Sequence, residues 1–194
     1  MRISKDILKR SYIVDRKSSA EIAKQFECSE HKINYWLAKY DIKKRNVSEA
    51  IYVKRNPNGD PFSIQEPKTI EEAKLFGLGI GLYWGEGTKR NKHTIRLGNT
   101  DPELIKKFIE FLITFFNIEQ KKLRFGLQIF SDMDSQEALQ FWRKKLGVSI
   151  LQFQKVIVTE TRGVGTYRHK TKHGVLTVYF NNKKLRDILC GMLK

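Results

Sequence analysis

An α+β chain in two parts is what the sequence predicts, and three observations predict it. After residue 69, helical segments with a 3.6-residue apolar period alternate with short segments of strict apolar/polar alternation. Before residue 56 the chain carries only short, capped helical segments. Between them, Asn56-Pro57-Asn58-Gly59-Asp60-Pro61 is rich in turn formers and poor in apolar residues. The expected organisation is therefore a helical domain over 1–56, a linker over 57–68 and an α+β domain over 69–194.

The first domain opens with an amphipathic helix over 6–14. A second helix follows over 18–26, where Ser18 and Glu21 form a Ser-x-x-Glu capping box. Glu27-Cys28 makes a short turn, and Ser29 caps a third helix that runs to Tyr40 with Ile33, Trp36 and Leu37 on one face. This is the layout of a helix-turn-helix, and the pattern Ala20-Glu21-Ile22-Ala23, then Cys28-Ser29, then Ile33 and Tyr35-Trp36-Leu37 resembles the homeodomain-like helix-turn-helix families. The resemblance implies that Ala23 is the small residue where two helices cross and that the third helix enters the major groove. Ser29, Glu30, His31, Lys32, Asn34 and Tyr35 then lie on or near the groove face, with Asn34 suited to adenine and Lys32 to guanine or phosphate. The basic run Lys43-Lys44-Arg45 suits phosphate or minor-groove contact. The alternatives are a protein-interaction module and a solvated linker.

In the second domain, Thr69 and Glu72 form a capping box for a long glycine-rich helix that ends at Gly85 or Gly87. A strand over 94–98 follows. Asn99-Thr100-Asp101-Pro102 caps a helix, with Pro at its first position, whose core face is Leu104, Ile105, Phe108, Phe111, Leu112 and Phe115. Residues 122–130 alternate clearly: Leu123, Phe125, Leu127 and Ile129 inward, Lys122, Arg124, Gly126 and Gln128 outward. Asp134 caps a helix stopped by Gly147. Strands over 153–159 and 175–180 and a last helix over 182–193 complete the order. It predicts an antiparallel sheet with helices on one face.

Charge narrows the class of partner. Lys and Arg number 37 against 21 Asp and Glu, a formal net charge of +16. Such an excess favours a polyanion, because neutralising phosphates releases counterions. Two cysteines far apart, Cys28 and Cys190, and no signal-peptide pattern predict a reduced, cytoplasmic and nucleoid-associated setting. No apolar run reaches membrane-spanning length. His169 and His173 lack the companions that a zinc site needs.

One stretch is unusual. Gly77, Gly81 and Gly85 recur every four residues, which makes one smooth ridge on a helix. Glycine costs a helix interior about 1 kcal/mol relative to alanine, and close approach of a second backbone is the usual reason to carry several. Gly81-Leu82, Gly85 and Glu86-Gly87 within residues 79–87 resemble the LAGLIDADG motif of homing endonucleases. Trp84 and Glu86 depart from it, each standing where the motif has Asp. The resemblance implies a saddle-shaped domain over about 69–194. It implies a homodimer joined along the glycine ridge, since only one motif is present. It also implies Mg²⁺ held by Glu86, with the Gly85 carbonyl as a further oxygen ligand and Glu86 as the catalytic carboxylate.

The outward side of such a saddle carries Arg96, Lys122, Arg124, Gln128, Lys155, Thr177 and Tyr179. Arg168, Lys170 and Lys172 follow in a basic, glycine-containing loop. All are candidates for contact with double-stranded DNA. Two functions stay open: a Mg²⁺-dependent DNA endonuclease, favoured by the acid at 86, and a non-cleaving DNA-binding regulator, favoured by the Asp-to-Glu change and the lack of an evident partner base. A recombinase would need an acidic triad or a serine nucleophile, and neither is evident.

Overall fold

A computed structural model describes residues 3–161 and 172–193. The chain is an α+β protein that divides into two compact units, Met1–Pro61 and Phe62–Lys194.

In the first unit, α1 (Lys5–Lys9) continues as a π-helical turn (Arg10–Val14) and is followed by α2 (Ser19–Gln25) and α3 (Glu30–Lys39). The Ser18/Glu21 capping box forms in full: Ser18 Oγ accepts from Glu21 N at 3.1 Å, and Glu21 accepts from Ser18 N at 2.7 Å. Ser29 Oγ accepts from Lys32 N at 3.3 Å and starts α3. Leu8, Tyr12, Ile22, Ala23, Ile33 and Leu37 interlock as a small core. Three helices were expected, but a fourth is present. α4 (Val47–Arg55) starts at Asn46, which exchanges side-chain and backbone hydrogen bonds with Glu49. That Asn-x-x-Glu box is a helix start of the same kind as the one at Ser18, directly after the basic run expected to contact phosphate.

The second unit has one core and one sheet. Its elements are α5 (Ile70–Glu86), β1 (Ile95–Asn99), α6 (Pro102–Phe116), β2 (Arg124–Phe130), α7 (Ser135–Leu146), β3 (Ile157–Thr159), β4 (Val175–Phe180) and α8 (Lys183–Gly191). The sheet order is β1-β4-β2-β3. β4 pairs antiparallel with both β1 and β2, whereas β2 and β3 run parallel. The sheet is therefore mixed, not antiparallel as expected. The reason is the connection: α7 intervenes between β2 and β3, and a helical crossover is what joins parallel neighbours.

Alternation decides the two faces of this sheet. Ile95, Leu97, Phe125, Leu127, Ile129, Leu176, Val178 and Phe180 are buried and share the core with the helices. α6 contributes Phe108, Phe111, Phe115 and Phe116, each fully buried or nearly so. Burying one such ring stabilises by about 1.5–3 kcal/mol. Asp101 caps α6 through Glu103 N at 2.8 Å, with Pro102 at its first position. Gly147, at φ 63°, ends α7 in the left-handed conformation. Among the described residues, no helix is long and apolar enough to cross a membrane.

Candidate nucleic-acid interface

The outward face of the sheet is organised by register. Arg96, Tyr179 and Arg124 stand side by side across β1, β4 and β2. The Arg96 guanidinium lies 5.0 Å from the centroid of the Tyr179 ring, and its Nε donates to Thr94 Oγ1 at 2.8 Å. Tyr179 leans over Gly126, where any Cβ would meet the ring at 2.9 Å. Gly98, Thr177 and Gly126 form the next row, and the two glycines keep it shallow. Arg124 is exposed, but its Nη1 donates to the carbonyls of Lys121 and Leu123, at 2.7 and 2.9 Å. Gln128 Nε2 donates to Thr159 Oγ1 at 3.1 Å.

Two residues expected on this face stand elsewhere. Lys122 is not on β2. A 3₁₀ turn (Gln120–Lys122) precedes the strand, and Lys122 pairs with Glu119 at 2.5 Å. Lys155 is exposed but lies ahead of the short β3. Lys172 is exposed in the turn before β4. Arg168 and Lys170 lie outside the described residues.

Glu86 is the last residue of α5 and is exposed. The chain then turns sharply. Gly87 N donates to Tyr83 O at 3.0 Å, Gly87 bridges to Leu97, and Thr88 N donates to Arg96 O at 2.9 Å. Tyr83 is fully buried, stacked parallel to Phe108 with centroids 6.1 Å apart. Burial, with Cys190 Sγ 3.9 Å from its oxygen, pushes the Tyr83 phenol above its ordinary range. Lys89, which sequence reasoning passed over, sends Nζ to the carbonyls of Tyr83 and Trp84. A cation at a helix C-terminus neutralises the negative end of the dipole. Among the described residues, no three His, Cys, Asp or Glu side chains gather as a metal-binding group.

The three ridge glycines behave alike. Gly77, Gly81 and Gly85 are exposed, and a Cβ added at any of them would meet nothing within 4 Å. Leu78 and Trp84 beside them are 46% and 66% exposed.

In the first unit, α3 exposes Glu30, His31 and Tyr35, while Lys32 and Asn34 are half-buried. The hydroxyl of Ser29 is occupied as the helix cap. Asn34 Oδ1 is buried and has no hydrogen-bond partner among the described residues. Lys39 donates to Tyr35 Oη at 3.4 Å and sits 5.0 Å from the Trp36 ring centroid. Lys43 and Lys44 are exposed beyond α3. Arg45 is turned inward instead. Its guanidinium donates to the carbonyls of Tyr12, Arg16 and Lys17 and stacks on the Tyr12 ring at 4.2 Å. It is a strut of the helical unit, because one side chain ties together three backbone carbonyls from a segment about thirty residues away.

Comparison with models of protein families, with curated proteins and with solved structures gives no match.

Proposed function

We propose that this chain binds double-stranded DNA, with the outward face of the sheet along one groove. The observation that carries this reading is the Arg96–Tyr179–Arg124 row, set on the side of the sheet opposite its core. Planar guanidinium groups suit phosphate and base edges alike. The net charge of +16 supports the same partner. The first unit acts as a helix-turn-helix, with α3 as its reading helix. The exposed glycine ridge of α5 joins two copies, so that the preferred site is a near-palindrome.

Within this reading the second unit is a LAGLIDADG-like saddle, and Glu86 is its metal-binding acid. Each chain supplies Glu86 there, with the Gly85 carbonyl beside it. Mg²⁺ takes one or two carboxylates and fills its remaining positions with water and phosphate oxygens. The residues therefore fit the ion as half of a shared site. When bound, the ion would polarise the phosphodiester and lower the pKa of a bound water. Glu86 would hold it, and Lys89 would fix the end of α5 that carries Glu86. The second reading, a regulator that binds without cutting, is favoured by the absence of a carboxylate cluster around Glu86 among the described residues.

The test is incubation with a randomised duplex library, first with Mg²⁺ and then with Mn²⁺, for the natural chain and for Glu86→Gln. Metal-dependent cuts at a defined near-palindrome, lost in the variant, are the expected result for the nuclease. Selective binding without cuts, equal in both proteins, means the regulator. Failure to enrich any sequence would refute specific duplex binding.

A further inference from the structure

We propose that the loop over 88–93, between α5 and β1, is a preformed clamp for the phosphate backbone of duplex DNA. Arg90 and Lys92 are its phosphate donors, and Arg186 is the residue that positions it. This rests on the DNA-binding reading above and adds to it a contact outside the sheet and outside α3.

Charge marks the loop first. From Gly87 to Thr100 there is no acidic residue, while Lys89, Arg90, Lys92 and Arg96 are all cationic. Elsewhere in this unit many surface lysines are neutralised by neighbours. Lys106 pairs with Glu103, Lys107 with Glu110, Lys121 and Lys122 with Glu119, and Lys183 with Asp187. Arg90 and Lys92 are exposed, and among the described residues no ion pair or side-chain hydrogen bond engages either. Their full charge is available to a ligand.

Bracing marks it second. Thr88 N is tied to Arg96 O, and Lys89 Nζ is tied to the end of α5. Asn91 Oδ1 accepts from His93 N at 2.9 Å and from Thr94 N at 3.1 Å, which fixes the turn. From α8, Arg186 Nε donates to Asn91 O at 3.1 Å, and its Nη2 donates to Lys89 O. The charge of Arg186 is balanced at home by Asp187, 3.0 Å from Nη1. A basic loop held on both sides loses less entropy when it meets a ligand than a free one does.

The ligand follows from the arrangement. Arg90 and Lys92 project from a fixed backbone that runs directly into β1 and its Arg96. Duplex DNA presents about one negative charge per 1.7 Å of axis, so it can engage closely spaced cations together. A polyanion offers successive phosphates to the loop and to Arg96, where an isolated anion offers a single charged group.

The experiment measures the affinity of the full chain for a short mixed-sequence duplex from about 50 to about 200 mM salt. The double variant Arg90→Gln/Lys92→Gln is expected to flatten the slope of log K against log salt by about two. Arg186→Gln leaves both donors in place, so it is expected to weaken binding at every salt concentration with the slope unchanged. An unchanged slope in the double variant, with the natural chain binding normally, overturns the clamp and leaves the DNA-binding reading standing. An Arg186→Gln chain with natural affinity overturns the positioning role. A natural chain with no salt-dependent duplex binding overturns both readings.

Discussion

Gly79 of α5 lies directly on Phe111 of α6: a Cβ at 79 would sit 2.1 Å from Cγ of that ring. Phe111 is fully buried and stacks on Phe108 and packs edge-on to Phe116, so it has nowhere to move. Gly79→Ala is therefore expected to destabilise the second unit by about 1–3 kcal/mol through overpacking, outweighing the gain of about 1 kcal/mol in helix propensity. Gly81→Ala has the opposite sign in a single copy, because its Cβ meets nothing within 4 Å. Urea midpoints for the two variants check the contrast, and equal midpoints would mean that α5 is not seated on Phe111.

A larger side chain on the same ridge separates folding from association. Leu at 81 has room within its own chain but not against a second backbone laid along the ridge. Gly81→Leu should leave the urea midpoint of a dilute sample unchanged or higher and abolish dimers in sedimentation. A dimer that persists would take the glycine ridge out of the interface.

The local rules were legible in the sequence, and the long-range ones were not. Caps at Ser18, Ser29, Asp101 and Asp134 each depend on a side chain within three residues of its partner, and the stop at Gly147 depends on that residue's own backbone freedom. The alternation of Leu123, Phe125, Leu127 and Ile129 gave their burial for the same reason. Placing β4 between β1 and β2 depends on contacts between segments about fifty to eighty residues apart, which no local pattern encodes. Lys122 looked like a strand residue because alternation ignores Glu119, whose ion pair goes with a 3₁₀ turn. Arg45 looked like part of a charge run because nothing nearby reveals that its partners are carbonyls about thirty residues upstream. Gly79 was hidden behind the more regular spacing of Gly77, Gly81 and Gly85.

Arg45→Ala should unravel the packing of the helical unit rather than merely remove a phosphate contact. It leaves the carbonyls of Tyr12, Arg16 and Lys17 without their donor, at a cost of about 2 kcal/mol. Arg45→Lys keeps the charge but loses the planar fork, so it should be nearly as destabilising. Thermal melts of the two variants decide the matter: full stability in Arg45→Lys would assign the residue to DNA.

Acid should loosen the approach to β2. Hydrogen bonds from Lys121 and Lys122, at 2.7 and 2.5 Å, hold the Glu119 carboxyl down at about 2. A carboxyl lowered on folding contributes stability above its unfolded value near 4.5, and that contribution is lost as pH falls toward 2. The pair faces solvent, so the effect is small and is screened by salt. Glu119→Gln should remove the matching part of the acid slope of the urea midpoint; the same slope in both chains would show that the pair does not persist in solution.

Arg124 tests the sheet face itself. Among the described residues only its Nη1 is engaged, by the carbonyls of Lys121 and Leu123, and a guanidinium carries five N–H donors. Arg124 is exposed and pairs in register with Tyr179. Arg124→Ala should therefore flatten the salt dependence of duplex binding by about one, with little change in stability, because the Lys121 carbonyl is exposed to water and the Leu123 carbonyl keeps its hydrogen bond from Gln152 Nε2. Combined with Arg90→Gln/Lys92→Gln, the losses should add, since the two groups would contact different phosphates. A slope unaltered by Arg124→Ala alone would move the duplex off the sheet and leave α3 and the braced loop as its only contacts.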